Sequence, residues 1–166
     1  MYKSTDASST FSRVAFSKGT INSIEFLIDS NTAWIVVNHG VYKTSNLLSN
    51  VSTFNAISKN LPSESKLILR HHASNKDNRI YLGTALGVYF TDDTLDGWQT
   101  FDNNLPHVAV RDLEINEKDS KLFAATFRRG VFVADITKSL PAEDIKLVSL
   151  DSPLNNSKVV EIYLQQ

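Results

Sequence analysis

A repeated glycine–valine–aromatic stretch constrains the fold of this 166-residue chain more than any other feature. It occurs at residues 40–42, 87–89 and 130–132, and Tyr2 stands in a shorter fourth copy. The matched aromatics lie 40, 47 and 43 positions apart. A repeat of this length holds one small sheet or one pair of helices, so the chain is predicted to be a serial array of such units.

The residues around each copy favour sheets over helices. Short runs rich in β-branched and aromatic residues precede each glycine, and another run lies upstream of each, with polar turn residues between them. These runs are 21–28, 33–37, 66–72, 80–84, 108–115 and 121–126. No segment keeps the i, i+3, i+4, i+7 apolar spacing of a helix over three turns. Each unit therefore predicts a four-stranded antiparallel sheet of the kind that forms a β-propeller blade.

We predict an all-β fold of about three complete blades and a half blade. The half blade spans residues 1–18, and the complete blades span 21–62, 66–106 and 108–138. Leu-Pro pairs at 61–62 and 105–106 are expected to end outer strands, because proline cannot donate to a ladder. A half blade at the start indicates either a piece of a longer propeller or a blade completed by C-terminal strands.

A polar loop follows the matched aromatic in three repeats. A hydroxyl residue stands two positions after the aromatic, Asp or Asn stands four positions after it, and a Thr–Phe pair follows. The residues are Ser4, Asp6, Thr10 and Phe11; Thr44, Asn46, Thr53 and Phe54; and Thr91, Asp93, Gly97, Thr100 and Phe101. Asp and Asn accept N–H bonds within their own turns. We therefore expect residues 2–4 to be extended and Asp6 to accept a bond from nearby backbone.

The loop resembles the Asp-box of BNR-type propellers, Ser-x-Asp-x-Gly-x-Thr-Trp, which sialidases, xyloglucanase-type glycoside hydrolases and sortilin-type receptors carry. Ser8 stands where that family has glycine, Asn46 replaces the acid of the second copy, and the fourth repeat lacks the box. Residues 79–136 also resemble the last two blades of large secreted propeller proteins of the Bacteroidetes. The resemblance implies an extracellular or cell-surface protein in which these loops are structural anchors.

The resemblance implies a non-catalytic structural or binding segment that contacts polysaccharide or protein, alongside the remaining blades of a parent chain. The alternative is part of a secreted xyloglucanase-type glycoside hydrolase whose catalytic carboxylates lie in upstream blades. Such an enzyme needs two carboxylates about 5–10 Å apart. Ala85 stands where that family has one of the acids, and residues 37–40 contain no acid either. We therefore assign no catalytic residue in this chain.

The C-terminal segment, residues 139–166, is predicted to be a linker followed by a small amount of β structure. Residues 144–156 resemble the first strand and turn of an Ig-like or CARDB-like module. Residues 159–164 are alternatively a strand that closes the last blade. Both interpretations remain open on the sequence.

Other candidate sites give weak signals. Asp92, Asp93 and Asp96 form an acidic group, of which Asp93 is the expected loop anchor and the others are expected to be solvated. His71 and His72 are neighbours on a predicted strand, so they point to opposite faces and cannot share a metal. No metal or cofactor is therefore expected. Arg128 and Arg129, before the Gly130 turn, are candidate contacts for an anionic ligand.

Composition excludes several partners. The net charge is -1 and no Lys/Arg run occurs, so no binding to nucleic acid is expected. The longest apolar runs are far shorter than the roughly 20 residues that span a bilayer. Residues 1–20 lack the apolar core of a signal peptide, and the chain has no cysteine.

Overall fold

A computed structural model describes residues 1–101, 105 and 107–136, together with the backbone of two strands at 147–150 and 159–162. The chain divides into two compact units, residues 1–136 and 137–166. The all-β prediction is confirmed, because the described residues contain strands and turns and no helix. It follows that no membrane-spanning helix occurs within that part of the chain.

Four antiparallel sheets follow one another in the first unit, and we call them blades 1 to 4. Blade 1 has the strands β1 (Tyr2–Lys3) and β2 (Ser12–Arg13). Blade 2 has β3 (Ile21–Phe26), β4 (Ala33–Val37), β5 (Gly40–Thr44) and β6 (Asn55–Ala56). Blade 3 has β7 (Lys66–His71), β8 (Ile80–Thr84), β9 (Gly87–Thr91) and β10 (Gln99–Thr100). Blade 4 has β11 (Val110–Asn116), β12 (Lys121–Thr126) and β13 (Gly130–Asp135) within the described residues.

The second unit holds one small sheet. Its strands β14 (Leu147–Leu150) and β15 (Val159–Ile162) pair antiparallel with each other. The linker proposed after residue 138 and the turn at 151–156 lie outside the described residues, as do Asn103, Asn104 and Pro106 of the second Leu-Pro segment.

The matched tyrosines occupy the same place in three blades. Tyr2, Tyr42 and Tyr89 each lie in a strand that pairs with the short outer strand of its sheet. In each case the outer strand then donates a backbone N–H to the carbonyl of the residue before the tyrosine, at 3.0, 2.8 and 2.8 Å. β1 is therefore equivalent to β5 and β9, which means that blade 1 consists of a third and a fourth strand.

The first strands of blades 2 to 4 end earlier or begin later than the sequence suggested. β3 ends at Phe26 because the chain turns at once: the Leu27 N–H donates to the Thr32 carbonyl at 3.0 Å. The Asp29 carboxylate closes that turn by accepting the N–H groups of Asn31 and Thr32 at 3.0 and 2.8 Å. β11 begins at Val110 rather than at residue 108, and extends to Asn116.

The cores lie between the blades. Trp34 and Val36 of β4 pack with Leu69 of β7 and Leu82 of β8 in the cluster between blades 2 and 3. A second cluster joins blades 3 and 4, and a smaller one joins blades 1 and 2 around Val14. β4 and β8 are buried along their whole length because each is covered on both faces. Each such buried Leu, Ile or Val contributes about 1.5–3 kcal/mol.

The first strands β3, β7 and β11 are neighbours, with β7 in the middle. The Asn22 amide donates to the Lys66 carbonyl at 2.7 Å and so joins blade 2 to blade 3. The Arg70 guanidinium lies 3.8 Å from Glu25 of blade 2 and 3.4 Å from Asp112 of blade 4. Polar contacts along these strands therefore fix successive blades in one register.

Candidate binding face and the loops opposite it

Each blade has two edges of different character. The turns between second and third strands, at 38–39, 85–86 and 127–129, lie at one edge, which we call the turn edge. The loops between third and fourth strands lie at the other end of the antiparallel strands, which we call the loop edge. The turn edge also contains the starts of the first strands, because Ala85 donates its N–H to the Ser65 carbonyl at 2.9 Å. Phe127 donates to the Ala109 carbonyl in the same way at 2.8 Å.

The first loop is anchored by Asp6. Its carboxylate accepts the backbone N–H of Thr10 at 2.9 Å and the Thr10 hydroxyl at 2.6 Å. The Ser4 hydroxyl donates to the same carboxylate at 2.8 Å and accepts the Ser8 N–H at 2.9 Å. The bonds from Thr10 and Ser4 lower the pKa of Asp6 to about 2. Ser8 has a φ of 70°, a conformation that glycine adopts without strain and that other residues adopt less readily.

The second loop uses an amide in the same role. The Asn46 side-chain oxygen accepts the Thr53 N–H at 2.8 Å and the Thr53 hydroxyl at 3.1 Å. The Thr44 hydroxyl donates to that oxygen at 3.1 Å. Asn46 therefore replaces an acid without loss of the anchoring bonds, because a side-chain carbonyl accepts the same donors. Phe54 packs on the cluster between blades 1 and 2, whereas Phe11 is 64% exposed.

The third loop differs from the expectation. Asp92, and not Asp93, accepts bonds from its own loop, from the Thr94 N–H at 3.0 Å and the Thr94 hydroxyl at 2.6 Å. Asp92 was expected to be solvated, but its side chain is fully buried and pairs with Arg79 at 2.7 Å. Asp93 instead accepts a bond from Asn78 at 2.6 Å, across to the preceding turn. Spacing does not explain this difference, because Asp93 stands four positions after its tyrosine as Asp6 and Asn46 do.

The buried Arg79–Asp92 pair replaces the small anchor in blade 3. Burial tends to raise the pKa of Asp92, but the bonds from Thr94 and Arg79 lower it overall. Thr91 donates its hydroxyl to the Gly97 carbonyl at 2.9 Å. Thr100 pairs with Tyr89 in the outer strand, and Phe101 packs against Tyr81 with ring centroids 5.4 Å apart.

An asparagine that the sequence did not single out ties blade 2 to this loop. The Asn60 amide donates to the Trp98 carbonyl at 2.8 Å, and its oxygen accepts the Trp98 N–H at 2.8 Å. A Cβ on Gly97 would lie 2.6 Å from the Asn60 oxygen, so a side chain there would have to displace the Asn60 amide. The Asn-Leu-Pro sequence shared by residues 60–62 and 104–106 was the only sequence signal that pointed to Asn60, and it was interpreted as the end of a strand. We call the pair of bonds between Asn60 and Trp98 the Asn60 clamp.

The histidine pair separates as predicted. His71 stacks on Trp34 with ring centroids 5.0 Å apart, toward blade 2. His72 faces blade 4, where its Nε2 lies 3.3 Å from the Glu117 carboxylate and 3.1 Å from the Ser74 hydroxyl. Burial lowers the pKa of both histidines. Among the described residues, no three His, Asp or Glu side chains converge as a metal site would require.

The Ser74–His72–Glu117 group resembles a nucleophilic triad in composition only. In a triad the acid binds Nδ1 while the serine uses Nε2. Here Nδ1 of His72 has no hydrogen-bond partner, and serine and acid both lie at Nε2. The Ser74 hydroxyl also donates to Glu117 at 2.5 Å, so the serine proton is already bound by the acid. The group is therefore a contact between blades and not a nucleophilic site.

A cationic group stands on the turn edge of blade 4. The Arg128 and Arg111 guanidinium carbons lie 4.9 and 5.4 Å from the centroid of the Phe127 ring. Phe127 is 49% exposed, and both arginines and Arg129 are exposed. Arg128 has a φ of 65°, and the Thr126 hydroxyl donates to the Gly130 carbonyl at 2.7 Å, which closes the turn. No carboxylate of the described residues forms an ion pair with these three arginines.

These observations define an all-β protein with propeller-like blades, which have anchored loops at one edge and, at the other, a cationic group without an ion-pair partner among the described residues. No protein-family model matches the sequence, and no curated protein matches it significantly.

Proposed function

We propose that the chain is a non-catalytic binding segment of an Asp-box propeller in a secreted or cell-surface protein. Its turn edge binds acidic polysaccharide through Arg111 and Arg128, with Arg129 beside them. The single observation that carries the proposal is the pair of guanidinium groups over the exposed Phe127 ring, with no carboxylate partner in the described part of the chain.

The chemistry of this group suits a carboxylated or sulfated sugar. Guanidinium groups present planar donors that match carboxylate and sulfate oxygens. The Phe127 ring restrains both arginines through cation–π contacts worth about 0.5–1 kcal/mol each at an exposed site. Restraint lowers the entropy lost when a ligand binds, so these arginines are better binding residues than freely rotating ones.

The loop edge contributes anchoring and not binding in this proposal. Asp6, Asn46 and Asp92 use their side-chain oxygens on their own loops. Ala85 lies in the blade 3 turn where the resembling hydrolases have an acid, and it offers only its backbone there. These placements support a binding role over the alternative of a glycoside hydrolase.

The test is binding of polygalacturonate and of neutral xyloglucan, measured by isothermal titration calorimetry. We expect salt-sensitive binding of polygalacturonate only. The double variant R111Q/R128Q should weaken it about five-fold, since two exposed ion pairs of about 0.5 kcal/mol each correspond to that factor. The matched control K76Q/K118Q removes two exposed charges from the loop edge and should leave the affinity unchanged.

Three outcomes would contradict the proposal. An equal loss of affinity for polygalacturonate in both double variants would show that net charge alone causes the effect. Binding of an acidic protein but no polysaccharide would assign the turn edge to a protein partner. Reducing sugar released from xyloglucan by this chain would favour the hydrolase.

A further inference from the structure

A pocket opens between blades 2 and 3 beside the loop edge. It has a volume of about 120 Å³, and Trp34, Ile57, Ile80 and Leu95 supply the apolar part of its lining. Both blades have all four strands, so the pocket belongs to a complete junction between two sheets. A cavity of about 150 Å³ is enough to hold a benzene molecule. The pocket is therefore close in size to one small ring, and it is open at its mouth.

The next junction has a phenyl ring at the equivalent place. Trp34 pairs with Lys43 across blade 2, and the equivalent pair across blade 3 is Tyr81 and Phe90. The Phe90 ring packs against Tyr81 and Phe101, with ring centroids 6.2 Å apart in both cases. Blade 2 instead has Lys43 at that register position, and Lys43 lines the pocket. A ring of this size therefore suits the space between two of these blades.

Two lysine ammonium groups border the apolar part of the pocket. The Lys43 ammonium lies 5.5 Å from the centroid of the Trp34 ring and 3.7 Å from the Asp93 carboxylate. The Lys59 ammonium donates to the Asp96 carboxylate at 3.0 Å. The Asp96 side chain is fully exposed, and exposed ion pairs of this kind contribute little. Lys59 can therefore exchange Asp96 for an anionic ligand at small cost.

The two carboxylates in the lining have partners of their own. Asp92 pairs with Arg79 at 2.7 Å, and its side chain is fully buried. Asp93 accepts a bond from the Asn78 amide at 2.6 Å, in addition to its contact with Lys43. Because these acids are already compensated, the mouth of the pocket suits an anion better than a cation.

We propose that this pocket binds a small aryl carboxylate. The ring lies against Trp34 and Ile57, between the blades, as the Phe90 ring does in the next junction. The carboxylate lies at the mouth, where Lys59 and Lys43 donate to it. The pocket is independent of the proposed sugar-binding group, because it lies beside the loop edge and its ligand is a ring and not a sugar.

The test is titration of benzoate into the 15N-labelled chain, followed by NMR. The chain has two tryptophans, and both indole N–H signals report on this junction. Trp34 lines the pocket, and the Trp98 indole donates to the Ile57 carbonyl at 2.7 Å. We expect saturable shifts of both signals with benzoate and none with acetate, which lacks the ring. Benzylamine, which has the same ring and the opposite charge, should bind about five-fold more weakly.

Charge variants at the mouth should change the affinity in opposite directions. Lys59→Gln should weaken benzoate binding about three-fold, because one exposed ion pair is lost. Asp96→Asn should strengthen it about two-fold, because Lys59 is then free of its competitor. Lys118→Gln removes an exposed charge elsewhere on the loop edge and is the matched control, which should bind as the wild type does.

Lys43→Phe tests the equivalence of the two junctions. It places a phenyl ring at the register position of Phe90, so the ring should fill the pocket and abolish benzoate binding. Full benzoate affinity in folded Lys43→Phe would overturn the inference, and so would unchanged affinity in Lys59→Gln, whose side chain is half-exposed and whose folding is not at risk. Equal binding of acetate or benzylamine, or the absence of saturable shifts with benzoate, would overturn it as well.

Discussion

At the loop edge, the residue type and its position in the repeat predict the anchoring side chain in two loops but not in the third. Asp6 and Asn46 differ in charge but accept the same threonine donors four and seven positions later. The pattern of a hydroxyl, a side-chain oxygen and a threonine was therefore enough to predict both contacts. It was not enough for Asp93, although the spacing there equals that of the second loop. In the third loop the buried acceptor is Asp92, which pairs with Arg79, and the local sequence pattern does not reveal that contact.

The Asp6 anchor has a measurable titration. Its pKa of about 2 lies below the ordinary value of 3.8 because Thr10 and Ser4 donate to the carboxylate. A depressed pKa means that the loop contact is fully present above the ordinary value and is lost as pH falls through about 2. The Thr10 amide shift, followed by NMR from pH 5 to pH 1.5, should titrate with a midpoint near 2. The D6N variant is the control, and its Thr10 amide should show no such step; a wild-type midpoint near 3.8 would contradict the anchor.

Whole elements were predictable where one physical cause dominated. The run 33–37 is continuously apolar and the run 80–84 begins with three apolar residues, and these runs form the fully buried strands β4 and β8. The outer strands β2, β6 and β10 have only two residues each, and their existence followed from repeat alignment and not from any apolar pattern. Contacts between blades, such as the Asn60 clamp, were missed because they depend on how sheets stack.

The clamp between blade 2 and the loop of blade 3 gives the prediction at this scale. Gly97→Ala should lower the free energy of unfolding by about 1–3 kcal/mol, the usual cost of forcing an atom into a packed site. The cause is steric, since the added Cβ would lie 2.6 Å from the Asn60 oxygen. Urea denaturation of Gly97→Ala, Asn60→Ala and the double variant measures the effect.

The double variant distinguishes the clamp from a general intolerance of side chains at this turn. Asn60→Ala removes the atom that the new Cβ meets, so the two changes should be coupled and the double variant should cost less than the sum. Strict additivity would show that Asn60 is not the cause.

Residues 1–136 form a series of antiparallel sheets with an apolar cluster between each sheet and the next. The antiparallel strand order places the anchored loops at one edge and the turns between second and third strands at the other. This separation could be predicted from the sequence, because it follows once each repeat is assigned four antiparallel strands. The sequence predicted only part of the cationic group. Arg128 and Arg129 were candidates from their place before a glycine turn, but Arg111 joins them only because β11 and β12 are paired.

NMR mapping of a ligand onto the two edges tests the central claim most directly. Oligogalacturonate is titrated into the 15N-labelled chain, and backbone amide shifts are followed for every resolved residue. We predict that the largest changes fall at the turn edge, on residues 109–111 and 127–130, while the anchored loops at 4–10, 44–53 and 91–97 stay unchanged. Largest changes in those loops, or none anywhere at millimolar ligand, would contradict the account of a binding turn edge opposite structural loops.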